Sequence, residues 1–132
     1  MPYENLPHDH GGDVAHIMEH MPTDAALQTV ADVFKLMADT SRIRIFWLLC
    51  HCEECVINIS ALVEMSPAVS HHLRQLKTGG LIVSRRVGKE VYYKASDKPQ
   101  ARLLHHVIEE LVEITCPDCA EAHTHGAEKL DK

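Results

Sequence analysis

The sequence predicts a small, mostly α-helical protein with one β-hairpin, and three observations support this. Apolar residues recur at helical spacing through most of the 132 residues. Two short β-like segments flank a glycine-containing turn in the second half. Hydrophobic residues make up 45% and charged residues 24%, which excludes wholesale disorder. No apolar run approaches the length of a bilayer span and no signal peptide begins the chain, so we expect a cytoplasmic location.

The N-terminal half of the chain predicts an irregular arm followed by three helices. The arm contains several prolines and histidines and the Gly11-Gly12 pair, which disfavour regular structure. Thr23 or Asp24 is expected to cap the first long helix and the segment Asp39-Thr40-Ser41 the second, because short polar side chains satisfy the unpaired amides of a first turn. The predicted bounds are residues 1–22 for the arm, with a short helix over 14–21, then helices over 24–38 and 41–49 and a short one through Ile59, Leu62 and Val63.

The C-terminal half predicts a helix, a hairpin and a long final helix. Ser66 and Pro67 provide a cap and a first-turn residue, and Gly79-Gly80 ends that helix. A turn at Val87-Gly88-Lys89 joins two β-like segments. The predicted bounds are 66–78 for the helix, 81–86 and 90–94 for the hairpin, and 99–115 for the last helix, which gives a main domain over 23–115 and a polar tail over 116–132.

Positive charge is concentrated in one part of an acidic chain. The net charge is −6, yet the stretch from Ser66 to Lys94 holds six lysines and arginines against Glu90, a local net charge of +5. This asymmetry is expected of a DNA-binding surface. A short helix, a turn, a second helix and a hairpin in this order predict a winged helix-turn-helix. The residues expected to contact DNA are Ser66, Ser70, His71, His72, Arg74, Gln75, Arg85, Arg86 and Lys89.

Three segments carry a specific combination of residues: Ala38–Ile45, Met65–Leu76 and Val91–Tyr93. Together they resemble the ArsR/SmtB family of bacterial metal- or metalloid-sensing repressors, over roughly residues 24–115. The resemblance implies a homodimer that binds operator DNA without ligand and releases it when an inducer binds, with the first and last helices at the dimer interface. The apolar stripes of those two helices also favour dimerisation, because a lone chain would bury them poorly.

Eleven histidines and five cysteines point to metal or thiol chemistry. An odd number of cysteines in a chain without an export signal disfavours a disulfide framework. Cys50, Cys52 and Cys55 have a spacing whose thiolates suit zinc, cadmium or trivalent arsenic. The neighbouring Glu53 and Glu54 predict that this segment is an exposed loop. The alternative for Cys50 is a small buried apolar residue that ends the second helix.

The two ends of the chain supply further candidate metal ligands. Cys116 and Cys119 are spaced to reach one tetrahedral ion, and a tail histidine, His123 or His125, would complete the site; the alternative is a frayed polar tail. His16 and His20 share one face if their segment is helical. The resemblance implies that such an arm donates ligands to the partner subunit's cysteine cluster, although loose histidine-rich arms also bind metals weakly.

Two sites common in the family are altered in this sequence. Ile57 stands where the Cys-Val-Cys motif of the family has its second cysteine. Pro99 replaces the histidine of the site that usually lies across the paired last helices, and Glu110 and Glu113 occupy its second pair of positions. That site is therefore expected to be absent or rebuilt. Nearby but out of register are His105, His106 and Glu109.

The sequence thus predicts a repressor whose inducer is zinc, with cadmium and arsenite as alternatives. One rival is a thiol-redox repressor of the same fold, in which Cys52 and Cys55, or Cys116 and Cys119, form a reversible disulfide. Another is a metal-buffering protein that does not bind DNA. An enzyme is not expected, because no paired carboxylates or oxyanion-stabilising groups accompany the cysteines and histidines.

Overall fold

The computed structural model describes residues 6–63 and 67–116, and it confirms the predicted class: mostly α-helical with a small antiparallel sheet. The chain divides into two compact units, residues 1–34 and 35–132. The predicted division at residues 22–23 and 115–116 stays a prediction. In chain order the elements of the described ranges are α1 (Val14–Glu19), α2 (Asp24–Leu36), α3 (Thr40–His51), β1 (Glu54–Cys55), α4 (Val56–Val63), α5 (Ala68–Thr78), β2 (Ile82–Val87), β3 (Glu90–Ala95) and α6 (Pro99–Thr115).

The first unit contains α1 and most of α2. The Asp13 carboxylate caps α1 by accepting a hydrogen bond from the His16 amide at 3.1 Å. Thr23 Oγ1 accepts from the Ala26 amide at 3.2 Å, so Thr23 satisfies an amide of the first turn of α2, as predicted. The larger apolar side chains of α2 in this unit stay exposed: Leu27, Val30 and Phe34.

The second unit is built around α3, α4, α5 and the start of β2. Asp39 caps α3 as predicted, since its Oδ1 accepts from the Arg42 amide at 3.0 Å. The side chains that meet at the centre are at most 1% exposed, and burial of this apolar surface is the main favourable contribution to folding. The largest of them are Phe46, Ile45, Ile59, Leu73, Leu76, Leu81 and Ile82.

The end of α5 is set by a glycine, as the sequence predicted. Gly80 has φ +79°, a conformation that side-chain-bearing residues rarely adopt. Its amide donates to the Lys77 carbonyl at 3.0 Å, and the Leu81 amide donates to the Leu76 carbonyl at 3.0 Å. These two bonds satisfy carbonyl groups that the helix end leaves unpaired, and they lead the chain directly into β2.

The hairpin of β2 and β3 is joined at Gly88 (φ +63°), again as predicted. β1 adds a third strand by pairing Glu54 with Tyr93 and Cys55 with Tyr92, which gives the order β1-β3-β2. The prediction that this cysteine segment is an exposed loop is wrong, since Cys55 is only 6% exposed. The reason is that β3 offers a second edge, whose backbone groups pair with those of β1.

Among the described helices, none is both long enough and apolar enough to cross a membrane.

Candidate DNA interface and ligand cluster

The helix α5 presents part of the predicted DNA-binding set to solvent. The exposed members are Ser70, His71 and Arg74. His72 and Gln75 are half-buried, and Gln75 Oε1 accepts a hydrogen bond from Arg42 Nη1 at 3.2 Å. Gln75 therefore contacts α3, and its amide oxygen is already used within the protein. Ser66 lies outside the described residues.

The wing, defined here as the β2–β3 hairpin, presents Arg86 and Lys89 as exposed cations near its tip. Arg85 differs from them because its guanidinium forms a two-point ion pair with Glu53, with Nε 2.9 Å from Oε2. The same guanidinium lies over the Tyr92 ring, 5.6 Å from its centroid. The hydrogen bonds from Arg85 lower the pKa of Glu53, so the pair stays ionised at neutral pH. The wing is thereby linked to the segment that follows α3.

The clustered cysteines line two different cavities. Cys50 and Cys52 are half-buried and line a cavity of about 330 Å³, whereas Cys55 lies in β1 and lines another. Burial, and then the negative charge of Glu109, raise the pKa of Cys50 to about 12. Burial, and then the charge of Glu54, raise the pKa of Cys52. Both thiols are therefore protonated at neutral pH, and a metal ion that bound them would displace their protons.

A second group of ligand atoms forms where α3 ends beside α6. In the described part of the chain, the His51, His105 and Glu109 side chains each offer one ligand atom within 4.8 Å of the others. Glu109 Oε1 lies 2.8 Å from His105 Nε2 and 3.7 Å from His51 Nε2. The same oxygen accepts a hydrogen bond from Trp47 Nε1 at 3.2 Å. We call His51, His105 and Glu109 the α3–α6 triad.

The sequence did not single out this triad. By sequence, His105 and Glu109 are only out of register with a family site, and nothing in the pattern points to His51. A signal was present, because His105 and Glu109 are four residues apart on one helix and therefore share a face. The contact of this face with the end of α3 depends on tertiary packing, which no local pattern encodes.

The ligands predicted at the two ends of the chain are described only in part. His16 and His20 lie side by side in the first unit, with ring centroids 4.6 Å apart, as their spacing predicted. His20 Nδ1 also lies 2.9 Å from the His16 carbonyl. Cys116 caps the end of α6, is half-buried and is disulfide-bonded, so in this structure it offers no thiolate to a metal. Cys119 lies outside the described residues, as do His123 and His125.

The sequence model of the bacterial regulatory protein arsR family matches residues 39–84, which run from the cap of α3 into β2. The chain is 34% identical over 114 residues to a transcriptional repressor SmtB homolog of a Synechocystis species, covering 86% of each chain. It is 40% identical over 77 residues to a cadmium resistance transcriptional regulatory protein CadC homolog of Staphylococcus aureus, covering 57% of this chain and 64% of that protein.

A solved structure agrees with the same assignment. The homodimeric winged helix-turn-helix DNA-binding domain of Mycobacterium bovis Mb0332, a possible ArsR-family regulator, superposes with a TM-score of 0.60 at 30% identity. The match covers 70% of this chain and 89% of that domain. These matches confirm the resemblance and agree with the prediction of a regulator and not an enzyme. The chain belongs to the ArsR/SmtB family of winged helix-turn-helix transcriptional regulators.

Proposed function

We propose that this chain is a metal-responsive repressor that binds operator DNA as a homodimer. The observation that carries the DNA-binding part is the exposed set on α5 and the wing. Ser70, His71 and Arg74 lie on α5, and Arg86 and Lys89 lie near the wing tip. They stand in a stretch of net charge +5 within a chain of net charge −6.

The exposed residues suit two kinds of DNA contact. On α5 the hydroxyl, imidazole and guanidinium groups donate to base edges or phosphates in the major groove. The wing cations contact the phosphate backbone, which supplies affinity but no sequence information. In a two-fold symmetric dimer, two α5 helices would read half-sites about one helical turn apart, roughly 34 Å.

Exposed apolar side chains on the last helix support the homodimer. Leu103, Leu111 and Ile114 of α6 are 61%, 52% and 71% exposed. Soluble proteins seldom leave several large apolar groups of one helix in water, and a symmetric dimer would bury them. The Mycobacterium bovis domain with the same fold is homodimeric.

The inducer proposed is a thiophilic metal ion, with zinc first and cadmium or arsenite as alternatives. Relatives of the chain include regulators of cadmium and of arsenic resistance. Cys50 and Cys52 line one cavity, and their sulfur atoms fit such an ion, which when bound would hold the two thiolates together. The other ligands predicted from the sequence remain proposals: Cys55, Cys116, Cys119, His16 and His20. Cys116 would bind a metal only after reduction of its disulfide.

The segment after α3 offers a route from inducer to DNA. Glu53 is adjacent to Cys52 in the chain, lines the same cavity and holds Arg85 of the wing. A change of backbone at Cys52 would therefore alter how the wing presents its cations. A coupling free energy of about 1–3 kcal/mol between the two sites would change DNA affinity by roughly 5- to 150-fold.

The DNA interface is tested by binding of the reduced chain to the promoter of its own gene, measured by fluorescence anisotropy across a range of salt concentrations. We expect Arg74→Ala to weaken binding by about 1–3 kcal/mol and Arg86→Ala to lower the salt dependence by about one phosphate contact. Arg102→Ala, an exposed arginine of α6, is the matched control. Equal binding by all three variants and the unchanged chain would contradict the proposal and favour a metal-buffering protein.

A further inference from the structure

We propose that the α3–α6 triad is a metal site in its own right, which takes a divalent ion of the zinc type through two imidazole nitrogens and one carboxylate oxygen. This donor set contains no sulfur. It lies beside the proposed inducer site, because His105 also lines the cavity of Cys50 and Cys52, but no cysteine of the described residues joins its three ligand atoms. Imidazole and carboxylate together suit zinc, cobalt and nickel. The inference goes beyond the proposed function, because it would hold whether or not the thiols bind an inducer.

The distances in the triad are close to those that a tetrahedral ion requires. Zinc–ligand bonds of about 2.0–2.1 Å place neighbouring ligand atoms about 3.3 Å apart. Glu109 Oε1 lies 2.8 Å from His105 Nε2 and 3.7 Å from His51 Nε2, so each separation differs from that value by about half an ångström. The third separation, between the ligand atoms of His51 and His105, is at most 4.8 Å. Side-chain rotation would have to bring these two nitrogens to the tetrahedral spacing, and the ion would replace the hydrogen bond between His105 and Glu109.

The surroundings of the triad hold its ligands in position. Trp47 Nε1 donates to Glu109 Oε1 at 3.2 Å, and the Trp47 ring lies against the His51 ring with centroids 4.3 Å apart. The His51 and His105 rings meet edge to face at 5.0 Å. Hydrogen bonds of this kind to a ligating carboxylate orient it and reduce the freedom lost when the ion binds.

The triad is more buried than a neighbouring histidine–glutamate pair on the surface of the same helix. The side chains of His51, His105 and Glu109 are 15%, 28% and 25% exposed. The neighbouring pair, His106 and Glu110, has the same four-residue spacing but is 70% and 53% exposed, with 3.7 Å between its nearest atoms. Only the first pair meets a third ligand from another helix within the described residues. The second pair is therefore a matched control on the same helix.

An ion in the triad would join two parts of the second unit. His51 belongs to the end of α3, which packs on α5, while the other two ligands belong to α6. We therefore expect metal binding to raise the temperature of unfolding and to restrict movement of α6 against α3.

Trp47 provides the first test, because it is the single tryptophan of the chain and contacts two of the three ligands. Cobalt(II) is titrated into the reduced full-length chain while tryptophan emission and sulfur-to-cobalt absorption are recorded together. We expect one ion per chain to quench the emission even in a variant with Cys50→Ser and Cys52→Ser, in which cobalt bound at the triad gives no absorption from those thiolates. His105→Ala and Glu109→Gln should weaken this response at least tenfold, whereas His106→Ala and Glu110→Gln should not.

A second measurement covers the case in which a triad variant folds poorly. Long-range proton–nitrogen spectra of the unchanged chain with labelled histidines are recorded with and without zinc. We expect the ring nitrogens of His51 and His105 to shift and those of His106 to stay. Unaltered His51 and His105 signals, or equal weakening by the His105 and His106 variants, would overturn the site. Thiolate absorption in the same titration would still report metal at the cysteines, so the two proposals fail separately.

Discussion

Arg42, on α3, contacts the last two residues of α2 and the helix α5 through one guanidinium group. Its Nε donates to the Leu36 carbonyl at 2.7 Å and its Nη2 to the Lys35 carbonyl at 3.1 Å. Its Nη1 donates to Gln75 of α5 at 3.2 Å. Carbonyls at the end of α2 have no partners within their own helix. The Lys35 carbonyl also accepts from the Ala38 amide at 3.2 Å, so this side chain adds to the hydrogen bonds that close the helix end.

Replacing Arg42 should therefore reduce stability more than replacing an exposed arginine of the same helix. We expect Arg42→Ala to lower the free energy of unfolding by about 2–3 kcal/mol, because hydrogen bonds from a charged donor are lost. Arg42→Lys should recover less than half of this, since an ammonium group cannot reproduce the planar fork. Urea unfolding measures both, with Arg44→Ala as the control. Full recovery by lysine would contradict this role.

Glu53 is the residue at which the candidate inducer site and the wing meet. Glu53→Gln removes the charge that holds Arg85, which then becomes available to phosphate. Without metal, we expect tighter operator binding and a salt dependence larger by about one phosphate contact. When metal is added, we expect the affinity for the operator to fall by less than it does in the unchanged chain. Anisotropy titrations measure all three. The control for the two DNA-binding measurements is Glu54→Gln, whose carboxylate contacts Asn58 instead. It is not a control for the metal response, because the charge of Glu54 raises the pKa of Cys52. If both variants behave alike, the link through Arg85 is wrong.

Candidate ligands are predictable from sequence as residue types, but their grouping is not. The cysteine spacing predicts a metal site over residues 50–55, but in the structure these cysteines line two different cavities. His51, in the same segment, instead meets Glu109, which is 58 positions later in the chain. A helix-period argument finds the pair His105 and Glu109. It does not find the third member, because the position of α3 against α6 follows from core packing.

At the scale of elements, the caps illustrate how local chemistry fixes boundaries. The Asp39 carboxylate accepts from the Arg42 amide, and this bond lowers the pKa of Asp39 below its ordinary value of about 3.9. A carboxyl group whose pKa is lower in the folded than in the unfolded state stabilises the fold at every pH above the unfolded-state pKa. This stabilisation is lost as the pH falls through the folded value.

We therefore expect Asp39→Ala to lower the melting temperature at pH 7 and the difference from the unchanged chain to shrink as the pH falls below about 4. Asp39→Asn keeps a capping oxygen without a titrating charge, so it should melt near the unchanged chain at pH 7. Thermal unfolding followed by circular dichroism at several pH values checks this. A constant difference at every pH would show that the ionised carboxylate is not the cause.

The end of α5 gives a second element-scale prediction. Gly80 has φ +79°, and a Cβ there would meet only Lys98 Nζ at 3.5 Å, an ordinary contact. We expect Gly80→Ala to lower the free energy of unfolding by about 1–2 kcal/mol. The cause is the backbone conformation, because the added Cβ would not be crowded. Gly12→Ala, at a position without positive φ and with open space around it, is the control in chemical denaturation. Equal stability of the two variants would rule out this explanation.

The long periodic helices and the hairpin were predictable because each is defined by a local pattern. Caps at Thr23 and Asp39 and the glycine pair at the end of α5 set their bounds within a few residues. β1 was missed because a two-residue strand has no periodicity of its own. It exists through pairing with Tyr92 and Tyr93, nearly forty positions away, so it appears only when the hairpin is already in place.

At the scale of the whole molecule, the basic stretch covers α5 and the wing. Among the described residues, large exposed apolar groups are most numerous on α2 and α6, and others lie on α4 and on β2 of the wing. The sequence predicted both features, because each depends on local composition. The function proposed from them needs one further property, a coupling between bound metal and bound DNA.

The most direct test of that coupling is a metal titration of the reduced chain bound to fluorescent promoter DNA, read by anisotropy, with zinc, cadmium, nickel and arsenite in parallel. We predict that a thiophilic ion releases the DNA at one or two ions per protomer and that Cys50→Ser with Cys52→Ser abolishes the release without weakening metal-free binding. Tight DNA binding that no ion alters, combined with release by an oxidant, would contradict a metal-responsive repressor and indicate thiol oxidation as the signal.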